Sequence, residues 1–395
     1  MELSVCANHL VLIESYWSMM TYLTAYFYLY KCFKRHFIFH THTHTLIVMD
    51  NNTISSFIEF NELIPSLPSE LGLECLTRLP HSAHRVALRV CSQWHCLLQS
   101  DAFYSHRKKT GHTRKVTCLV QAREEQPLQE KNKSFYGISV FDPESMTWDR
   151  VDPVPDYPSG LPLFCQLASC EGKLVLMGGW DPASYEPLTA VFVYDFRTSE
   201  WRRGKDMPEK RSFFAIGAGE GRVYVAGGHD ENKNALSTAW AYDPRSDEWA
   251  GLDRMGGERD ECEGVVIGDE FWVVSGYSTE RQGMFDGSAE VLDIGSGQWR
   301  EVNGCWEEGR CPRSCVGVGK DGRLVNWRGS DPGLRVGVCG VAVGSRVVLS
   351  GSDYEGAPHG FYLVDMEEGQ NRKLRKINVP EGFSGFVQSG CCVEI

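Results

Sequence analysis

The chain has 395 residues, and its histidines and cysteines are the side chains best suited to metal or nucleophilic chemistry. Ten of the twelve histidines lie at or before His112, leaving His229 and His359 for everything that follows. A copper or iron centre needs grouped imidazoles, and the stretch beyond His112 has neither a His-x-x-x-His pair nor a Gly-x-Ser-x-Gly elbow. Cys305, Cys311 and Cys315 cluster, but their spacing and the lack of a nearby histidine do not suit zinc. Gly317-Val318-Gly319-Lys320-Asp321-Gly322 spells a dinucleotide fingerprint. That motif works only when a helix follows and turns its amino end toward pyrophosphate. Arg323-Leu324-Val325-Asn326-Trp327 reads as strand instead, and Gly217-Ala218-Gly219-Glu220-Gly221 is the same kind of turn. No catalytic residue, metal site or cofactor is expected.

The elements that carry these residues repeat. An apolar strand ending in small residues recurs as Leu174-Val175-Leu176-Met177-Gly178-Gly179, Val223-Tyr224-Val225-Ala226-Gly227-Gly228, Phe271-Trp272-Val273-Val274-Ser275-Gly276 and Val347-Val348-Leu349-Ser350-Gly351. An Asp follows an apolar residue at Asp142, Asp195, Asp243, Asp293 and Asp365, and Trp148, Trp201, Trp249 and Trp299 each come six residues after the first four. Gly179 to Gly228 is 49 residues and Gly228 to Gly276 is 48. A fixed period of this length predicts stacked four-stranded blades, none of which buries both faces alone. The Asp marks hairpin turns, and the Trp supplies a large face to bury between blades. Five repeats are clear. The 72 residues from Asp293 to Asp365 leave room for an insertion or a decayed sixth blade, and the arithmetic leans to six. The tail Gly385–Ile395 is strand-like and is expected to pair near Val116–Gln121 and Phe135–Phe141, closing the ring.

These marks, with Arg211 after Met207-Pro208 and Arg259 after Met255, resemble the kelch repeat from about residue 115 to residue 395. The resemblance implies a mainly β propeller whose interstrand loops bind another protein. The candidate client-binding residues are Trp180, Asp181, His229, Asp230, Tyr277, Asp353 and Tyr354 on the loops after the glycine pairs. Arg211, Arg259 and Arg313 open the following strands. For the arginines a purely structural role is equally open, because the kelch pattern itself has Arg there.

Ahead of the repeats, Leu67-Pro68-Ser69-Glu70-Leu71 opens a short helix, with serine before an acidic first turn as its cap, and Leu79-Pro80 ends it. A second helix is expected from Ala83, Val86, Ala87, Val90, Trp94, Leu97 and Leu98, spaced by threes and fours. Leu67, Pro68, Leu71, Leu76, Leu79, Pro80, Val90, Cys91 and Trp94, closed by Phe103, resemble an F-box. So small a helical unit has little core of its own, and leftover apolar surface suits a docking partner. The resemblance implies a Skp-type adaptor and, through it, a cullin. It also implies a non-catalytic substrate receptor of a ubiquitin ligase, acting in the cytoplasm or nucleus. F-box and kelch together are similar to plant F-box/kelch proteins, nearest a subgroup that includes receptors for phenylalanine ammonia-lyase and the KISS ME DEADLY proteins. Those act on type-B response regulators of cytokinin signalling. Two other classes remain to be distinguished: a kelch scaffold that does not lead to degradation, and a metal-dependent kelch enzyme.

The organisation expected is a non-native or disordered extension at 1–48, a tail at 49–60, the F-box at 61–106, a basic linker at 107–115 and the propeller at 116–395. The net charge of −12 provides no basic stripe for nucleic acid. His106-Arg107-Lys108-Lys109 with Arg114-Lys115 reads as a solvated junction, or else as a targeting patch. The fifteen cysteines contain no Cys-x-x-Cys pair, which suits reduced thiols. Uncharged Ser15–Tyr30 is too short to span a bilayer. His40-Thr41-His42-Thr43-His44-Thr45 would chelate a metal if extended, but a CA dinucleotide repeat encodes the same run, and Met49 is then the natural start.

Overall fold

A computed structural model describes residues 63–123, 135–328, 333–366 and 374–395; the extension at 1–48 and the tail at 49–60 lie outside the described residues. Four helices come first: α1 (Ser69–Thr77), α2 (His81–Ala87), α3 (Ser92–Gln99) and α4 (Asp101–Lys109). The strands follow: β1 (Lys115–Arg123), β2 (Phe135–Asp142), β3 (Thr147–Arg150), β4 (Gln166–Cys170), β5 (Lys173–Met177), β6 (Val191–Asp195) and β7 (Glu200–Arg203). Then come β8 (Ala215–Gly219), β9 (Arg222–Ala226), β10 (Ala239–Asp243), β11 (Glu248–Gly251), β12 (Glu263–Ile267), β13 (Glu270–Val274), β14 (Ala289–Asp293) and β15 (Trp299–Val302). The last are β16 (Val316–Val318), β17 (Leu324–Asn326), β18 (Val336–Val343), β19 (Arg346–Ser352), β20 (Gly360–Asp365), β21 (Leu374–Lys376) and β22 (Val387–Glu394).

Among the described residues these strands form five four-stranded sheets and one two-stranded sheet. The inner strands β22, β4, β8, β12, β16 and β18 pack one beside the next and return to β22, so the ring is closed. The region left open by the sequence is therefore a truncated blade: β16 and β17 stand between β12 and β18, and among the described residues they have no outer strands of their own. Trp327, 3% exposed, lies against Gly317 of β16 and Gly340 of β18, and buried Cys315 joins the same cluster.

Closure uses the carboxyl-terminal strand. β22 runs antiparallel to β1, from Lys115 opposite Glu394 to Gln121 opposite Val387. The expected pairing with Phe135–Phe141 is not made, because β2 takes the other edge of β1.

Each sequence mark has a physical task. A Cβ on Gly179 would stand 2.5 Å from the Leu163 carbonyl oxygen, and one on Gly228 would stand 2.4 Å from that of Ser212. The linker entering each blade crosses there, and both glycines also hold positive φ. Asp142 Oδ1 accepts the backbone N–H of Glu144 at 2.8 Å, and Asp243 Oδ1 accepts that of Arg245 at 2.8 Å, fixing the outer hairpin turns. The tryptophans clasp neighbouring blades. Trp201, Trp249 and Trp299 donate their indole N–H to the carbonyls of Asp152, Lys205 and Asp253 at 2.7, 2.8 and 2.8 Å.

Arg211 and Arg259 prove structural. Arg211 is fully buried; it donates to the carbonyls of Gly227 and Thr238 at 3.0 and 3.3 Å and pairs with Glu209. Arg259 repeats the pattern one blade on, with Ser275 and Ser288 as acceptors at 3.0 and 3.3 Å. Neither guanidinium is presented to a client. Arg211→Met leaves those carbonyls unmet and should cost about 2–4 kcal/mol, less than a fully buried pair because Glu209 keeps access to water. The midpoint of urea unfolding measures this.

The helical part differs from expectation in three ways. Pro68, not a serine side chain, precedes α1, and no side chain caps it. The single helix expected over Ala83–Leu98 is broken between Ala87 and Ser92, because Cys91 takes an extended backbone and its sulfur accepts the Trp94 N–H at 3.5 Å. The basic run is helical rather than a linker at its start: residues 106–109 end α4 and buried Arg107 donates to the carbonyls of Thr77, Leu79 and His112, while Lys108, Lys109 and Lys115 are exposed as expected.

Candidate functional site

Strand direction divides the propeller into two faces. The β4–β5 and β6–β7 turns lie on one, while the β5–β6 loop and the linkers between blades lie on the other. The helices sit on the turn face. Asp101 pairs with Arg197 at 2.5 Å, Tyr104 Oη donates to the Glu394 carbonyl at 3.1 Å, and His81 packs on Phe196 of the β6–β7 turn. Asp101 loses some solvent to this contact, yet Arg197 holds its carboxyl below the ordinary value.

His84 lies in the same seam, 6% exposed, and burial followed by the nearby Arg107 pulls its pKa down to about 3. A histidine depressed in the fold costs stability as pH falls through its unfolded value of 6.5, because the unfolded chain then binds the proton more readily. Between about pH 7.5 and about pH 5.5 this group alone should remove about 1.4 kcal/mol. His81 shifts the same way through burial. A thermal midpoint that falls over this range, and falls less in His84→Leu, checks the assignment.

On the helical unit, Leu71, Val86 and Val90 are 54%, 59% and 38% exposed although aliphatic. Pro68 is exposed, and Leu67, Leu79, Pro80 and Cys91 are half-buried. Leu76 is a correction: at 1% exposure it belongs to the core and cannot meet a partner. Trp94 is also largely internal, its indole N–H donating to the Leu63 carbonyl at 2.7 Å. Val86 was legible only as part of a helical stripe; in α2 it lies off the buried side, which His84 and Ala87 occupy.

The loop face gathers several of the expected residues around its centre. Trp180 packs against Phe164 and Phe213, with ring centroids 5.6 and 5.5 Å away. Arg313 lies over Phe213 at 4.4 Å and ion-pairs with Glu261 at 3.6 Å, so its charge is held against aromatic faces. His229 and Tyr277 are nearly buried and structural: His229 Nδ1 meets Asp260 Oδ1 at 2.9 Å, and Tyr277 Oη donates to Glu261 at 3.1 Å. Asp181 and Asp230 organise their own loops, each accepting backbone N–H groups at 2.8–2.9 Å. Asp353 pairs with Arg335 at 3.6 Å, and Tyr354 is 64% exposed. Phe164 and Phe213 escaped the sequence reading. Both hold positive φ, uncommon for a bulky residue, and no local pattern announces it. Deeper in the channel, burial pushes the Glu263 carboxyl up to about 7 although it accepts the Ser314 N–H at 2.5 Å. Among the described residues no three His, Cys, Asp or Glu side chains gather as metal ligands.

Residues 64–106 match the F-box domain family, and residues 127–325 match the KLHDC2/KLHL20/DRC7 Kelch-repeats domain family. The Arabidopsis thaliana F-box/kelch-repeat protein At1g15670 is 37% identical over 85% of this chain and all of its own length. The chain belongs to the F-box/kelch-repeat family. The F-box/kelch-repeat protein At1g80440 of the same plant is 34% identical over 85% of this chain and all of its own length. F-box/kelch-repeat protein SKIP20 is 37% identical over 62% of this chain and 67% of its own length. An F-box implies a Skp-type adaptor as partner, and F-box/kelch-repeat chains, this one included, are non-catalytic subunits. No described helix is long and apolar enough to cross a membrane.

Proposed function

We propose that this chain is the substrate-recognition subunit of an SCF ubiquitin ligase. The F-box holds the Skp-type adaptor and cullin, and the propeller holds a client whose lysines are thereby concentrated near the charged conjugating enzyme. One observation carries the reading: the F-box is fixed on the turn face, so the loop face opposite stays open. Phe164, Trp180 and Arg313 at its centre, backed by the buried Phe213, with exposed Asp353 and Tyr354, are the residues assigned to client contact.

The client assigned first is phenylalanine ammonia-lyase, whose destruction lowers flux into phenylpropanoids. It rests on the sequence resemblance of the Leu63–Pro68 stretch and the Phe383–Ile395 tail to that subgroup of plant proteins. The second reading, a type-B response regulator with damped cytokinin output, rests on the same resemblance. Either client places the complex in the cytoplasm or nucleus.

Affinity capture of the full chain from plant extract, with a proteasome inhibitor present, tests the scheme. Adaptor, cullin and one of the two clients are expected together. Leu67→Ala with Pro68→Ala should remove the cullin and keep the client. Capture of a client with no cullin would make the chain a non-degradative scaffold.

A further inference from the structure

The geometry points to a subsite for a basic client side chain, arginine or lysine, seated against Glu290 beside the loop face. This deepens the reading above and rests on that face taking the client. Glu290 occupies β14 two residues before the Leu292-Asp293 mark, where Phe192, Trp240 and Tyr362 stand in three other blades. In the preceding blade Trp240 donates its indole N–H to Glu209 at 3.1 Å, and Arg211 and Thr238 also bond Glu209. One repeat later, Met207-Pro208-Glu209-Lys210-Arg211 becomes Met255-Gly256-Gly257-Glu258-Arg259. Gly257 takes the position of Glu209, the linker's carboxylate stands one residue later as exposed Glu258, and the ring has left the strand.

An open cleft of about 680 Å³ occupies that place, with Glu290 in its wall, only 5% exposed. Its Oε1 accepts the Gly257 N–H at 3.1 Å, and no lysine or arginine among the described residues ion-pairs with it. A Cβ on Gly256 would come within 3.0 Å of the same oxygen, so the glycines leave room for the acid. The other cleft charges are answered or exposed. Arg259 is spent on Ser275 and Ser288, Arg300 on Glu270 at 2.6 Å, and Arg254 and Arg281 face solvent. Within this cleft Glu290 is thus the buried carboxyl with no cation paired to it, a place that an arriving cation would fill. Met284, 60% exposed on the same cleft, offers an apolar surface for the stem of such a side chain.

The test uses the full chain with its adaptor and a capped Gly-Ser-Arg-Ser-Gly peptide, titrated by calorimetry. Peptides with citrulline or glutamate in place of arginine are the controls. The arginine peptide should bind weakly and the citrulline peptide about tenfold more weakly still, a loss of about 1.4 kcal/mol. Glu290→Gln should bring the arginine peptide to the citrulline level with the thermal midpoint kept. Because the peptide comparison needs no variant, a misfolded Glu290→Gln does not stop the test. Equal affinity for all three peptides, preference for glutamate, no binding of the arginine peptide, or indifference to Glu290→Gln overturns the subsite. Client capture that survives Glu290→Gln does so too, and leaves the receptor reading standing; loss of adaptor capture bears only on that reading.

Discussion

Removal of Phe386–Ile395 should leave a chain that does not form the ring. The truncation takes away β22, the inner strand of the first blade, and exposes the whole edge of β1 from Lys115 to Gln121. It also strips Val387, Val393 and Ile395, exposed 2%, 0% and 8%, from clusters shared with neighbouring sheets. Each such side chain stabilises by about 1.5–3 kcal/mol, and domain stability totals about 5–15 kcal/mol. Three of them with a ladder of backbone hydrogen bonds make up most of that margin. The open edge is also a template for pairing with another chain. Circular dichroism and size-exclusion chromatography of the 1–385 chain should report aggregate or unfolded protein. A monomer with native melting behaviour would refute closure by this strand.

The second large effect concerns the F-box. Leu71→Asp with Val86→Asp should abolish adaptor capture while leaving the fold intact, because both side chains are more than half exposed in the free chain. Burial of each against a partner is worth about 1.5–3 kcal/mol, so losing both weakens binding by about a hundredfold or more. Leu76→Ala is the contrasting variant. That side chain is only 1% exposed, as buried as any hydrophobic one in the helical unit, so its truncation should cost about 2–5 kcal/mol of stability and act by unfolding. Co-precipitation of the adaptor, paired with a thermal melt of each variant, separates the two mechanisms. Full adaptor capture by the double aspartate variant would place the docking surface elsewhere.

The fold was readable because its marks are local. A glycine before a crossing linker, an aspartate at a hairpin and a tryptophan on an outer strand each answer a constraint set within a few residues, so they recur wherever the blade recurs. The arginines were readable as a repeat but not as a role. Whether Arg211 faces a client or the Gly227 carbonyl depends on which way one side chain turns inside the blade.

The site was legible only in part. Trp180 and Arg313 reach the centre of the loop face, but their neighbours Phe164 and Phe213 come from separate linkers and are placed there by positive φ that no pattern predicts. The helix expected over Ala83–Leu98 failed for a related reason. Helical spacing continues through Leu88–Cys91, but an extended Cys91 and its bond to Trp94 break the turn, so one stripe becomes two helices and Val86 and Val90 are exposed.

Sequence alone determined the repeat, the ring it implies and the F-box, because periodicity and turn chemistry act along the chain. Tertiary structure decided that β16 and β17 form a two-stranded sheet among the described residues, that β22 closes the ring against β1, and that the F-box occupies the turn face. It also decided which apolar and charged side chains remain open to a partner. Those outcomes depend on contacts between residues far apart in the chain, where burial and backbone crossing, not local propensity, choose the arrangement.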